Sequence, residues 1–264
     1  MNSSFGAVVE PPTAVYAVRL GDDALILAQR LGEWISRAPQ LEEDVALANL
    51  ALDLLGQARM LLTYAGELEG FGRTEDDLAY LRDERAYTNV HLVEQQNGDF
   101  AETMARLLAF STYQLLLYEG LARSTDETLA AIAAKAVKEV AYHRDHATQW
   151  VVRLGDGTPE SHARMQAGLD RVWPFTAELF ETDPLEKSLT EQGIAVDRTV
   201  IRQAWQEYVS GVVAEATLDQ PTESKPTETR SAARGGRQGI HSEAMGYLLA
   251  ELQHLVRSHP GATW

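Results

Sequence analysis

The chain has 264 residues, 45% of them hydrophobic, which is enough apolar surface to bury a sizeable core. Its formal net charge of −16 repels phosphate backbones and anionic headgroups at long range, arguing against nucleic acid or a membrane surface as partner. With no cysteine there is no disulfide framework, thiolate zinc site, iron–sulfur cluster or cysteine nucleophile, and the expectation is a cytoplasmic protein without an exported or membrane-spanning segment.

Residues 1–15 read as a flexible N-terminus. Leu20, Ala24, Leu27, Leu31, Trp34 and Ile35 then form a helical stripe, predicting a helix over 21–37 that stops before Ala38-Pro39, because the residue before proline avoids the helical region. Asp22 and Asp23 stand at its expected start, where capping accounts for them, and Glu33 between Arg30 and Arg37 reads as an ion-paired surface residue. Leu47, Leu50, Leu54, Leu55, Ala58, Leu61 and Leu62 predict a helix over 41–66, apolar nearly all round and acidic in its first turn.

Further helical patterns cover 75–95, 99–123, 126–154, 159–181, 197–218 and 242–258, joined by short segments such as Gln96-Asn97-Gly98-Asp99. Long helices with short connections make antiparallel neighbours. The expected fold is therefore all-α, a single helical bundle with the helices after 155 appended to the same core. Trp34, Trp150, Trp173 and Trp205 are candidate core or interface anchors. The stretch 219–240 is poor in large apolar residues and reads as a mobile loop. It holds Arg230, Arg234 and Arg237, and Arg234 and Arg237 are candidate anion contacts.

A helical bundle that holds two irons needs one Glu from each of two helices and a Glu-x-x-His pair from each of two others, because residues three apart share a helix face. Among seven histidines only His254 has Glu three residues before it, and one copy is insufficient. Asn49, Asp53 and Gln57 recur every four residues where ligands would stand, as a degenerate polar seam. Gly56 replaces the histidine, and Gln57 can only hydrogen-bond. Glu139, His143 and His146 are the weaker alternative ligand set, read as a solvated group on the polar face of their helix. Thr112, Tyr113 and Gln114 fill the place of a bridging Glu. No metal site and no catalytic residue is assigned to this chain. The alternative is a self-contained metal-dependent oxidase using Glu33, Asp53, Glu139, His143 and His146 in a non-standard site.

Several longer strings carry a resemblance: Leu-Gly-Asp-Asp at 20–23, Gln-Arg-Leu-Gly-Glu-Trp at 29–34, Leu-Asp-Leu-Leu-Gly-Gln-Ala-Arg at 52–59, Arg-Asp-Glu-Arg at 82–85 and Leu-Val-Glu-Gln-Gln-Asn-Gly-Asp-Phe-Ala at 92–101. With Phe-Thr-Ala-Glu-Leu-Phe at 175–180, they make the chain similar to the C subunits of bacterial phenylacetyl-CoA epoxidases, from about Tyr16 to Trp264. The resemblance implies a ferritin-like fold and a structural, non-catalytic role in aerobic phenylacetate catabolism. It also implies a catalytic A subunit that carries the di-iron centre, other complex subunits and a reductase as partners; the sequence leaves open whether the isolated chain forms a homodimer. Carried over residue by residue, it marks Arg82, Asp83, Glu84 and Arg85, with Asn89 and Glu94 just beyond, as ion-pairing positions within the chain or toward a subunit.

Overall fold

In the computed structural model, which describes residues 11–221 and 234–262, the chain is all-α, the ferritin-like helical class expected, and no strand occurs among the described residues. The chain forms two compact units, Met1–Gln96 with Gly235–Trp264, and Asn97–Arg234.

The first unit is built on α1 (Pro12–Gly32) and α2 (Leu41–Glu69), which pack along each other and, with only residues 33–40 between them, run antiparallel. Helix α1 starts well before the expected residue 21. Pro12 stands at its first turn, where a missing N–H costs nothing, and Ala14, Ala17 and Val18 extend the apolar stripe upstream. Residues 1–10 of the expected flexible terminus lie outside the described residues, whereas 12–15 are helical.

Helix α2 buries Leu47, Leu50, Leu54, Ala58, Leu61, Leu62 and Ala65 on one side, and each fully buried leucine contributes roughly 1.5–3 kcal/mol. It ends at Gly70, whose φ of 69° is the left-handed conformation that closes a helix. The expectation of no membrane-length apolar stretch needs correction here: an 18-residue window of α2 has mean hydropathy 1.4, long and apolar enough by composition to cross a bilayer. The polar seam of Asn49, Asp53 and Gln57 interrupts this apolar run without cancelling its mean hydropathy.

The helix expected over 75–95 breaks into α3 (Glu75–Tyr80), a 3₁₀ turn at Glu84–Ala86 and one turn of helix, α4 (His91–Glu94). The cause is tertiary: the backbone amides of Thr88 and Val90 donate to the side chains of Asp22 and Asp23 instead of to carbonyls one turn back. The unit closes with residues 235–242, a strap that includes a 3₁₀ turn at Gly236–Gln238, and a C-terminal helix at Glu243–Ser258.

The second unit rests on α5 (Phe100–Leu121) and α6 (Glu127–Gly155), again antiparallel across a short connection, with α7 (Pro159–Val172) packed on both. Two 3₁₀ turns, Trp173–Phe175 and Ala177–Phe180, replace the last turns of the expected 159–181 helix, because Pro174 cannot continue it. Next come α8 (Pro184–Glu191), which the sequence reading missed, and α9 (Arg198–Glu215); the C-terminal helix of the first unit is α10. Asp99, Asp126, Asp183 and Asp197 cap α5, α6, α8 and α9 by accepting from backbone amides at 2.9–3.0 Å. Trp205 is buried and donates its indole N–H to the Ala109 carbonyl at 2.8 Å, while Trp34, Trp150 and Trp173 are half-buried.

Candidate functional site

The densest polar chemistry lies in the first unit. Along α1, Arg19, Asp22, Asp23 and Arg30 are buried although each carries charge, which is tolerable only when every charge is matched. Asp22 and Asp23 are therefore not the exposed capping acids expected, since extending α1 upstream to Pro12 puts both in its middle.

Asp22 takes the forked guanidinium of Arg82 on both oxygens, and the Thr88 amide and hydroxyl donate to its Oδ2 at 2.8 and 3.1 Å. Arg82 also donates to the carbonyls of Leu78 and Ala86 and stacks over the Tyr87 ring, 4.1 Å from its centroid. Burial alone would lower the Arg82 pKa, but the Asp22 carboxylate in contact raises it. The Tyr87 phenol donates to the Ala79 carbonyl, and burial pushes its pKa up to about 12.

Asp23 takes a second arginine from the far end of the chain. Arg237 donates from Nη1 and Nη2 to the two Asp23 oxygens at 3.0 and 2.7 Å, and from Nη1 to the carbonyls of Arg19 and Thr88. Arg237 is thus committed inside the chain rather than offered to an external anion as the loop reading expected. Arg234 is exposed and pairs with Glu181 at 3.1 Å. Of the expected mobile loop, 222–233, including Arg230, lies outside the described residues, whereas 235–240 are seated against the first unit.

Glu94 forms the third node. Its Oε2 accepts from Asn89 at 2.9 Å and faces His241 Nδ1 at 2.7 Å; its Oε1 accepts from the Ser242 amide at 2.6 Å. Arg30 donates to the Glu94 carbonyl at 3.0 and 2.7 Å, to the Ala244 carbonyl at 3.0 Å and to Glu33 at 2.7 Å. The Arg30–Glu33 pair read from the sequence is therefore present, although Arg30 itself is buried.

Of the expected ion-pairing positions, Arg82, Asn89 and Glu94 belong to this lattice, while Asp83, Glu84 and Arg85 are exposed. Asp22, Asp23, Arg30 and His241 were missed. Tracing the apolar stripe back to Ala14 would have put the two aspartates inside the helix. In this buried lattice carboxylates, arginines and one histidine hold distant chain segments together, and their charges are engaged with one another.

Donor chemistry decides whether a pair of irons fits this chain. On α2, Asn49 is exposed, Asp53 half-buried and Gln57 fully buried, and an amide is a poor iron ligand. On α5 the buried polar groups at mid-helix are Ser111, Thr112, Tyr113 and Gln114, with no carboxylate among them. On α6, His143 is buried, Glu139 and His146 are half-buried, and the solvated reading of this group needs correction. His143 lies seven residues from Ala136 and three from Val140, on the same stripe, and is only 1% exposed. Among the described residues, no three His, Asp or Glu side chains gather into a group able to hold a metal. Among the described residues, α2, α5 and α6 present no Glu-x-x-His pair, the donor set that a di-iron bundle uses.

Comparison with known proteins agrees with the resemblance carried by the motif strings. The chain is 49% identical over 249 residues to the C subunit of 1,2-phenylacetyl-CoA epoxidase from Escherichia coli K12, spanning 94% of this chain and 98% of that protein. A family model described as phenylacetic acid catabolic protein matches residues 6–264. On that near-complete match, the chain belongs to the phenylacetic acid catabolic protein family.

Proposed function

We propose that this chain is the C-type subunit of a multicomponent phenylacetyl-CoA epoxidase working in the cytoplasm, where it pairs with and stabilises a catalytic A subunit without carrying out chemistry itself. In this reading the di-iron centre that activates oxygen is held by the partner, and a separate reductase delivers the electrons. The extent of identity to an epoxidase C subunit supports the role in the complex. The donor inventory of α2, α5 and α6 supports a structural role.

One observation carries the pairing. Helix α2 buries one face and exposes an apolar stripe on another: Leu41 is 75% exposed, Val45 53%, Leu52 63% and Leu55 44%. With Ala48 between them, these positions alternate spacings of four and three residues, the repeat that seats one helix against another. Such an apolar stripe suits an obligate interface, which typically buries more than about 2,000 Å².

Co-expression with an A subunit tests the proposal. The expected result is a stable complex in which epoxidation of phenylacetyl-CoA requires both chains and the reductase. Two irons per chain in this protein purified alone, with oxygen consumption of its own, would overturn the structural role.

A further inference from the structure

The His241 ring has both nitrogens on acceptors inside the protein. Nδ1 faces Glu94 Oε2 at 2.7 Å and Nε2 faces the Tyr87 carbonyl at 3.0 Å, and the side chains of both His241 and Glu94 are fully buried. A carbonyl can only accept, so Nε2 must carry a proton. Glu94 receives N–H donors on both oxygens, from Asn89 and Ser242, the pattern of a carboxylate, and a carboxylate facing Nδ1 calls for a proton there too. The geometry calls for an imidazolium.

That cation joins two parts of the chain far apart in sequence. On one side stand Tyr87, Asn89 and Glu94; on the other stands the strap 235–242, which also contributes Arg237 to Asp23 and leads directly into α10. The geometry points to a proton-dependent strap: protonated His241 fastens residues 235–242 and the start of α10 to the first unit, and loss of its proton loosens them locally.

The surrounding charges set the direction. The charged and titratable groups set against this pair are Asp22 of α1, whose charge acts on His241, Arg30 of α1, which donates to the Glu94 carbonyl, and His91 of α4. The His91 ring lies 6.3 Å away. Burial opposes protonation of His241, but the hydrogen bond and charge of Glu94, then the Tyr87 carbonyl and Asp22, outweigh it and raise the pKa above the ordinary 6.5. A raised pKa means that the strap's stability is fully present below about pH 6.5 and is lost as pH rises through the folded value.

The test is amide hydrogen exchange of the full-length chain from pH 6 to 9.5, following residues 236–246 against α2 residues 54–62. Chemical exchange alone gives a tenfold rise per pH unit; release of one proton on opening adds up to about another tenfold per unit between the unfolded and folded pKa values. The strap is expected to show this steeper dependence, with lower protection than α2. In the H241Q variant the excess steepness is expected to disappear. A strap slope of only tenfold per unit, or an unchanged excess in H241Q, would overturn the inference. If H241Q does not fold, the ring carbon shifts of His241 in the wild-type chain decide: a midpoint above 6.5 supports the strap, and one at or below 6.5 overturns it.

Discussion

Asp22 and Asp23 are neighbours in α1 yet answer to different arginines: Arg82, 60 residues downstream, takes the first, and Arg237, 214 residues downstream, takes the second. Successive helical residues point about 100° apart, so one turn of α1 anchors two separate segments of the first unit.

Breaking the Asp22–Arg82 pair from one side leaves a buried, uncompensated charge. Arg82→Ala is expected to cost about 3–5 kcal/mol in urea unfolding. Arg82→Lys is expected to recover little of it, because a point charge cannot reproduce a fork that meets both Asp22 oxygens and the Leu78 and Ala86 carbonyls.

The second unit has an equivalent test in Arg198 and Glu186, whose side chains are 0% and 2% exposed and 2.7 Å apart. Arg198→Ala alone is expected to cost about 3–5 kcal/mol, whereas Arg198→Met with Glu186→Leu is expected to recover most of the loss. A double-mutant cycle in denaturant measures the coupling.

Two positions on α2 separate folding from assembly. Leu54 is 1% exposed and Leu52 is 63% exposed. Leu54→Asp is expected to abolish soluble expression, since it forces a carboxylate into the core. Leu52→Asp is expected to change the isolated chain's stability by no more than about 0.5 kcal/mol and to prevent complex formation with the A subunit, read by gel filtration.

Gly239 and Gly70 both have φ near +70°, but a Cβ on Gly239 would sit 2.1 Å from the Arg85 carbonyl oxygen, whereas Gly70 has open space. Gly70→Ala is expected to cost about 1–2 kcal/mol of left-handed strain. Gly239→Ala adds a backbone collision to the same strain and is expected to cost more, with the loss of hydrogen-exchange protection confined to the strap.

Much of this architecture was legible because α2, α5, α6 and α10 have cores that recur with helical period, a local property. The stretch 81–90 was not, since its amides are captured by aspartates about 66 residues away. Asp22 and Asp23 were misread for a related reason: acidic pairs near an expected helix start resemble caps until the helix is extended to Pro12. His143 was assigned to the polar face by its residue type, although its spacing from Ala136 and Val140 puts it on the buried one. Helix α8 was announced by Asp183-Pro184, a cap followed by a first-turn proline, but eight residues are too few for periodicity to register.

The first unit is discontinuous in sequence, with the whole of 97–234 between its two parts. At roughly 5–20 residues per second, a ribosome that has released Asp23 needs roughly 10–40 s to deliver Arg237. Throughout that interval the nascent chain carries a buried carboxylate whose Arg237 partner has not yet been made, while the intervening segment is complete enough to fold. Translation order thus makes the last tenth of the chain the closing step of its beginning, and a message truncated before Arg237 would yield an N-terminal half that cannot finish folding.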